Sequence, residues 1–324
     1  MSVVLNVARS IYHQAGFSRR KRVSIGDFHD FRTAEEGNKL IAKVIESGNP
    51  CLIGRLGYIE SNALLNFLEI RKYESNVLSE RADALLAEFR NSWDQNVISL
   101  LQTSAGVFPA TECQAEEFSV AYLESIESSD LLGYFGEISG ENYLRRRYCQ
   151  HAMPFYFEGL EPYLHRNPWS AELKGKDVLV VHPFEQTIVR QYELRKSLFS
   201  DPNVLPDFNL KTLKAVQSMQ GNVVDYQSWS DALEAMKDQM SQIQFDVCIV
   251  GAGAYGMPLC SHAKKMGKVA LYMGGATQIL FGIRGKRWEQ YKPHIAKLFN
   301  DAWVRPSEEE KPVGYKNMEG ACYW

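Results

Sequence analysis

Apolar runs that do not alternate with polar residues recur along this chain, at Cys51-Leu52-Ile53, Leu131 to Phe135, Val178 to Val181, Val247 to Val250 and Val269 to Tyr272. Runs of this kind belong to parallel strands covered on both faces. Helical spacing separates them at Thr33 to Ser47, Ser61 to Glu69, residues 79 to 102 and Trp229 to Ile243. The pattern places strands at Asp177 to Val181 and Lys211 to Val216, with a helix running from the turn at 182–188 to about Phe199. An aromatic, Arg-rich stretch from Glu141 to His165 reads as helix and connection, and Asn167-Pro168-Trp169 as a hinge. From Asp177 onward strand and helix alternate four times, which predicts an α/β fold: a Rossmann-like, doubly wound parallel sheet with helices on both faces. The chain divides into a short amphipathic helix with a basic segment (1–32), an N-terminal α/β half (33–166), a C-terminal Rossmann-like nucleotide-binding half (167–305) and a tail (306–324).

The stretch from Phe245 to Gln278 carries the densest chemistry. Gly251, Gly253 and Gly256 break a buried strand and lead into a helix with Pro258 in its first turn. Such a turn directs backbone N–H groups and the positive end of the helix dipole at an anion. A dinucleotide site also requires an Asp or Glu near the end of the following strand, about 20 residues on. Tyr272, Met273, Gly274 and Gly275 stand there instead. Close helix–strand packing is the competing account of the glycines.

Other polar groups follow strand ends, where open α/β sheets place ligands. Arg55, Gly57, Tyr58 and Glu60 follow the first strand, and His182 and Glu185 follow Val181. Glu60 reads as general base, metal ligand or partner of Arg55; His182 and Glu185 as a base, a donor contact or helix-capping groups. Gly274, Gly275 and Gln278, then Lys286, Arg287 and Trp288, combine bare backbone, cations and an aromatic face, the composition of a loop that closes over a nucleotide diphosphate. The apolar end, Cys322-Tyr323-Trp324, is expected to pack back onto the body.

A formal charge of -3 over 324 residues gives no pull toward nucleic acid. Arg19 to Arg22, Arg145 to Arg147 and the Arg284 to Arg287 stretch are local basic clusters that suit phosphates or an anionic membrane surface. Six cysteines show neither Cys-x-x-Cys pairs nor zinc spacing, and no signal peptide or bilayer-length apolar run occurs. The expectation is a reduced, cytoplasmic, soluble protein, with peripheral association at the inner face of a membrane left open.

The order of an Arg-x-Gly-x-x-Glu turn, a central Arg/aromatic segment, Trp169 before Lys174-Gly175-Lys176, a Trp229-led helix and the Gly251-Ala252-Gly253 turn resembles the bacterial GT-D fold glycosyltransferases. The resemblance runs from about Cys51 to Gln278. It implies an enzyme that moves a sugar from a nucleotide-diphosphate donor to a hydroxyl of a glycan or lipid-linked acceptor in surface polysaccharide or glycoconjugate synthesis. It also implies Mn2+ or Mg2+ near Glu60. The family's first turn reads Arg-Phe-Gly-Asp-Gly-Glu, whereas Tyr58 and Ile59 here replace its Asp and second Gly. Without that Asp, Arg55 with Lys286 or Arg287 are the groups left to neutralise a leaving diphosphate. The alternatives are a Rossmann-type NAD- or S-adenosylmethionine-dependent enzyme and a catalytically inactive nucleotide-sugar-binding protein.

Overall fold

The computed structural model describes residues 31–74, 92–136, 140–317 and 320–324. The amphipathic helix and basic cluster expected before Asp30, and most of the helix expected over 79–102, lie outside them.

The first helix, α1 (Ala34–Ser47), starts where Thr33 accepts from the Glu36 N–H and Glu36 accepts from the Thr33 N–H, a reciprocal capping box. Strand β1 (Cys51–Arg55) follows and leads into α2 (Tyr58–Glu74), which begins earlier than the spacing predicts, so Glu60 lies in its first turn. Asp94 caps α3 (Gln95–Leu100), which continues into a π-helical turn over Leu101–Ala105. Thr111 caps α4 (Glu112–Glu127), ahead of β2 (Leu131–Tyr134) and α5 (Glu141–Tyr148).

The next strand, β3 (Met153–Tyr156), corrects the reading of 141–165 as helix and connection. Pro154 is tolerated because β3 is an edge strand, closed by Arg32, which donates from its N–H to Pro154 and accepts from Tyr156. The alternation then runs β4 (Asp177–His182), α6 (Glu185–Glu193), β5 (Asn209–Lys214), α7 (Trp229–Ser241), β6 (Val247–Val250), α8 (Gly256–Lys265), β7 (Val269–Tyr272) and α9 (Ala276–Leu280). Helix α6 stops at Glu193 rather than near Phe199.

The seven strands form one sheet in the order β3-β2-β1-β7-β6-β4-β5, with every pair parallel. Successive strand residues feed two separate cores. Leu179, Val181, Cys248, Val250 and Tyr272 pack on the face covered by α2, α4, α7 and α8. Val178, Val180, Val247, Ile249 and Leu271 pack on the face covered by α1, α6 and α9. Burial on both faces explains why the strands read as unbroken apolar runs.

The crossover from β3 to β4 spans the sheet along the second face. Asn38 on α1 is buried there, donating to Asn167 O at 2.8 Å and accepting from Trp169 N at 2.9 Å. Trp169 is fully buried, so residues 167–169 are a pinned crossing rather than a hinge, and strands from before and after it share one sheet.

Candidate active site

Strand order sets where a ligand can sit. The chain leaves β1 toward α2 on one face of the sheet, and leaves β7 toward α9 on the other. Connections that depart in opposite directions open a crevice above the carboxyl ends of adjacent strands. A cavity of about 540 Å³ lies there, lined by the ends of β1, β4, β6 and β7 and by the π-helical turn at Ser104 to Gly106.

Arg55 ends β1 and reaches across to β7. Its guanidinium lies 4.7 Å from the centre of the Tyr272 ring and 5.5 Å from that of Phe135, and it donates to the Tyr272 hydroxyl at 3.2 Å. Burial opposes its charge, but Tyr272 and then Glu60 outweigh burial and raise its pKa, so the site holds a permanent cation. The Arg55 Nε is buried without a hydrogen-bond partner.

Glu60 is buried, and its carboxylate folds back over Gly57, where any Cβ would collide with it. The Gly57 N–H donates to the Tyr122 hydroxyl at 3.3 Å, which fixes the turn against α4. Tyr58, beside them in the lining, is 57% exposed and forms an aromatic rim.

His182 ends β4 and is buried, with Nδ1 accepting from the Phe184 N–H at 3.0 Å. Burial depresses its pKa to about 3, so the ring is neutral at physiological pH. A neutral imidazole whose Nδ1 accepts carries its proton on Nε2. His182 therefore offers a donor rather than a base.

The glycine turn does two kinds of work. The Gly251 N–H is already used, donating to Val181 O at 2.9 Å, and its Cα sits so close to His182, Gly274 and Thr277 that a side chain has no room. The turn then closes on Tyr272: the Tyr272 hydroxyl donates to Gly253 O at 3.0 Å, and Gly256 lies against the Tyr272 ring where a Cβ would clash. Tyr272 thus occupies the hollow of the turn, at the strand end where a dinucleotide fold has its ribose-binding acid.

Gly274 and Gly275 line the cavity, with the Gly274 N–H donating to Val250 O at 3.2 Å. A Cβ on Gly274, whose φ is 58°, would strike the Arg55 guanidinium, and one on Gly275 would meet the Trp288 ring at 3.2 Å and the Tyr323 ring at 3.3 Å. Gln278 is fully buried and donates from Nε2 to Tyr323 O at 2.9 Å. Arg287 donates to the Tyr323 hydroxyl at 3.0 Å with its guanidinium 4.6 Å from the ring centre.

The tail does pack back. Trp324 is buried against Phe184 and Tyr315, with ring centroids 5.7 Å and 5.6 Å away, and both Tyr323 and Trp324 line the cavity. The segment leading to it is latched to α6 by the buried Glu310. This carboxylate accepts from the Thr187 N–H at 3.1 Å, from the Thr187 hydroxyl and from Ser307 Oγ at 2.9 Å.

The cavity therefore gathers Arg55, Gly57, Tyr58, Glu60, His182, Gly251, Gly253, Gly274, Gly275, Gln278 and Arg287. Three expected residues lie elsewhere. Glu185 turns to β5, accepting from Thr212 Oγ1 at 2.7 Å. Lys286 is exposed outside the lining, and Trp288 is a core residue only 4% exposed, so its ring is closed to a base. Sequence reasoning passed over Tyr272 and the Ser104 to Gly106 turn as site residues, and gave Tyr323 only as part of a tail that packs back near the site. Tyr272 was signalled only by standing where an acid was sought.

Among the described residues, Glu60 is the only carboxylate side chain in the lining, and no three His, Cys, Asp or Glu side chains are grouped to hold a metal ion. A divalent cation of the Mg2+ or Mn2+ type takes its protein ligands mainly from carboxylates. This donor set does not fit a protein-built metal centre.

The family model described as GT-D fold-like domain matches residues 208–280, from just before β5 to the end of α9. Over this stretch the chain is similar to that domain. Two solved structures are similar at low identity. One is described as "The highly conserved domain of unknown function 1792 has a distinct glycosyltransferase fold" (10% identity, 87% of this chain and 98% of that chain covered, TM-score 0.38). The other is a selenomethionine-substituted structure of domain of unknown function 1792 (11% identity, 87% and 98% covered, TM-score 0.34). No curated protein matches the chain.

Proposed function

We propose that this cavity binds a nucleotide-diphosphate sugar and transfers the sugar to a hydroxyl of a glycan or lipid-linked acceptor, in the synthesis of a bacterial surface polysaccharide or glycoconjugate. The observation that carries the reading is that two guanidiniums, Arg55 and Arg287, one buried carboxylate, Glu60, and the Gly274-Gly275 turn line one cavity above the switch between β1 and β7. The cations stabilise negative charge as it develops on the diphosphate when the bond from the sugar's anomeric carbon to phosphate oxygen breaks. Glu60 takes the proton of the acceptor hydroxyl as its oxygen bonds to that carbon. His182 donates from Nε2 to a ligand oxygen, and Tyr58 at the rim offers a face to the acceptor.

Thermal shift with UDP, GDP, CMP and their sugars, beside NAD and S-adenosylmethionine and each with and without manganese, tests the reading, because ligands that bind the native state raise its melting temperature. Stabilisation by one nucleotide-sugar series is expected, and stabilisation by NAD or S-adenosylmethionine alone refutes it. Once an acceptor is found, Glu60→Gln should lower turnover by about 100-fold or more with the melting temperature kept. Unchanged turnover in that variant removes Glu60 from the chemistry.

A further inference from the structure

The cavity continues past the strand ends that carry Arg55 and His182 to a wall built from residues 216–219, after β5, and from the π-helical turn at Ser104 to Gly106. The two segments are fastened to each other: Ser218 Oγ donates to Gly106 O at 2.6 Å and Gln220 Nε2 to Thr103 O at 3.1 Å. Asn222 Nδ2 closes the loop on itself by donating to Gln217 O at 2.7 Å. The stretch from Gln217 to Asn222 thus carries three side-chain amides, two of them tied to backbone carbonyls. The third, Gln217, lines the cavity half-buried, with Nε2 buried and lacking an acceptor. Among the described residues neither atom of its amide is hydrogen-bonded. Val216, Met219 and Ala105 supply apolar surface to the same wall.

A buried amide N–H without a partner carries a desolvation cost that a bound acceptor removes. The terminal torsion of glutamine is soft, so the amide can turn its donor, its acceptor or both toward the cavity from a backbone that stays fixed. One donor beside one acceptor, flanked by apolar side chains, matches the polar edge and the flat faces of a nucleobase. Sheet order sets the distance from the cationic end: β6 and β4 lie between β7 and β5, so with strands about 4.8 Å apart Gln217 stands on the order of 14 Å across the sheet from the Gly274 turn. That is comparable with the length of a nucleoside diphosphate laid over the strand ends, phosphates at Arg55 and ribose above β6 and β4. We propose that Gln217 is a nucleobase-contacting residue that determines which nucleotide the cavity accepts. This inference rests on the nucleotide-sugar reading of the cavity and adds the subsite that reads its base.

The test measures, by calorimetry on the full chain, binding of UDP, CDP, GDP, ADP and inorganic pyrophosphate to the unaltered protein, to Gln217→Ala and to Gln217→Met. The methionine variant keeps the length of the side chain, removes both hydrogen-bonding groups, and serves as the test if Gln217→Ala fails to fold. One of the four nucleotides should bind the unaltered chain about tenfold or more tighter than pyrophosphate, and both variants should weaken that nucleotide by roughly tenfold, the loss expected for one or two neutral hydrogen bonds. Pyrophosphate, which has no base, should bind all three proteins alike. A glutamine that merely shapes the loop would weaken nucleotide and pyrophosphate together. No nucleotide tighter than pyrophosphate, a preferred nucleotide held as tightly by both variants as by the unaltered chain, or equal losses for nucleotide and pyrophosphate each overturn the base contact. A nucleotide preference that depends on Gln217 in a chain that transfers no sugar would keep the base contact and remove the transferase; sugar transfer with nucleotide affinity unchanged in both variants would do the reverse.

Discussion

The two glycine turns of the C-terminal half invite opposite readings from what they do. Gly251 to Gly256 has the spacing of a phosphate-binding fingerprint, yet Gly251 spends its N–H in the sheet, Gly253 accepts from Tyr272, and Gly256 makes room for the Tyr272 ring. Gly274-Gly275 matches no dinucleotide motif, and its Gly274 N–H also goes to the sheet, yet Gly274 packs against Arg55 and Gly275 against Tyr323, both in the cavity lining. A glycine pattern reports where backbone must come close to something. Whether that something is core or cavity lining depends on what stands opposite, and here Tyr272 fills the first hollow while Arg55 and Tyr323, both in the cavity lining, stand against the second.

Four changes would break or sharpen this contrast. The largest effect belongs to the packing turn: Gly256→Val forces a branched side chain into the Tyr272 ring and should cost about 3 kcal/mol or more of stability, read as a large fall in the denaturant midpoint. Gly274→Ala should cost less, about 1 kcal/mol for a side chain at its φ of 58°, and roughly tenfold in nucleotide affinity, because its Cβ displaces the Arg55 guanidinium. Comparable losses of fold in both variants would erase the distinction.

The third concerns His182, which packs against Gly251. Its native pKa of about 3 lies below the unfolded value near 6.5, so below that pH the unfolded chain takes up a proton that the native one refuses. The stability this group contributes is complete above about pH 6.5 and falls by up to about 1.4 kcal/mol per pH unit toward pH 3. Urea titrations at pH 7.5 and 5.5 should show the loss, and His182→Asn should flatten it. The smallest effect is Tyr272→Phe, which keeps the ring under Gly256 but cuts the bridge from Arg55 to Gly253; about 1 kcal/mol of stability and a few-fold of affinity should go.

The fold was open to reading because its strands bury both faces: the apolar runs at Val178 to Val181, Val247 to Val250 and Val269 to Tyr272 are each split between two cores. The helical spacing from Thr33 to Ser47 marked α1 as plainly. Strand β3 was not legible, since an edge strand of Met153, Pro154, Phe155 and Tyr156 is set by pairing with β2 and Arg32, neither of which leaves a periodicity. At the site, turns directly after strands delivered Arg55, Glu60 and His182. Glu185 was misplaced because one turn of α6 rotates it toward Thr212. Tyr323 and the Ser104 to Gly106 turn reach the cavity from distant parts of the chain, where local spacing carries no information about the crevice.

The Glu310 latch has a kinetic corollary. Its carboxylate holds the amide hydrogen of Thr187, and the Ser307 amide donates to Thr187 Oγ1 at 3.1 Å, so the helix that follows the His182 turn and the strap that carries Tyr323 share one buried knot. Deuterium should enter these two amides in a single opening event rather than at independent rates. The wall of the cavity would then breathe at the tempo of a residue that never touches the ligand.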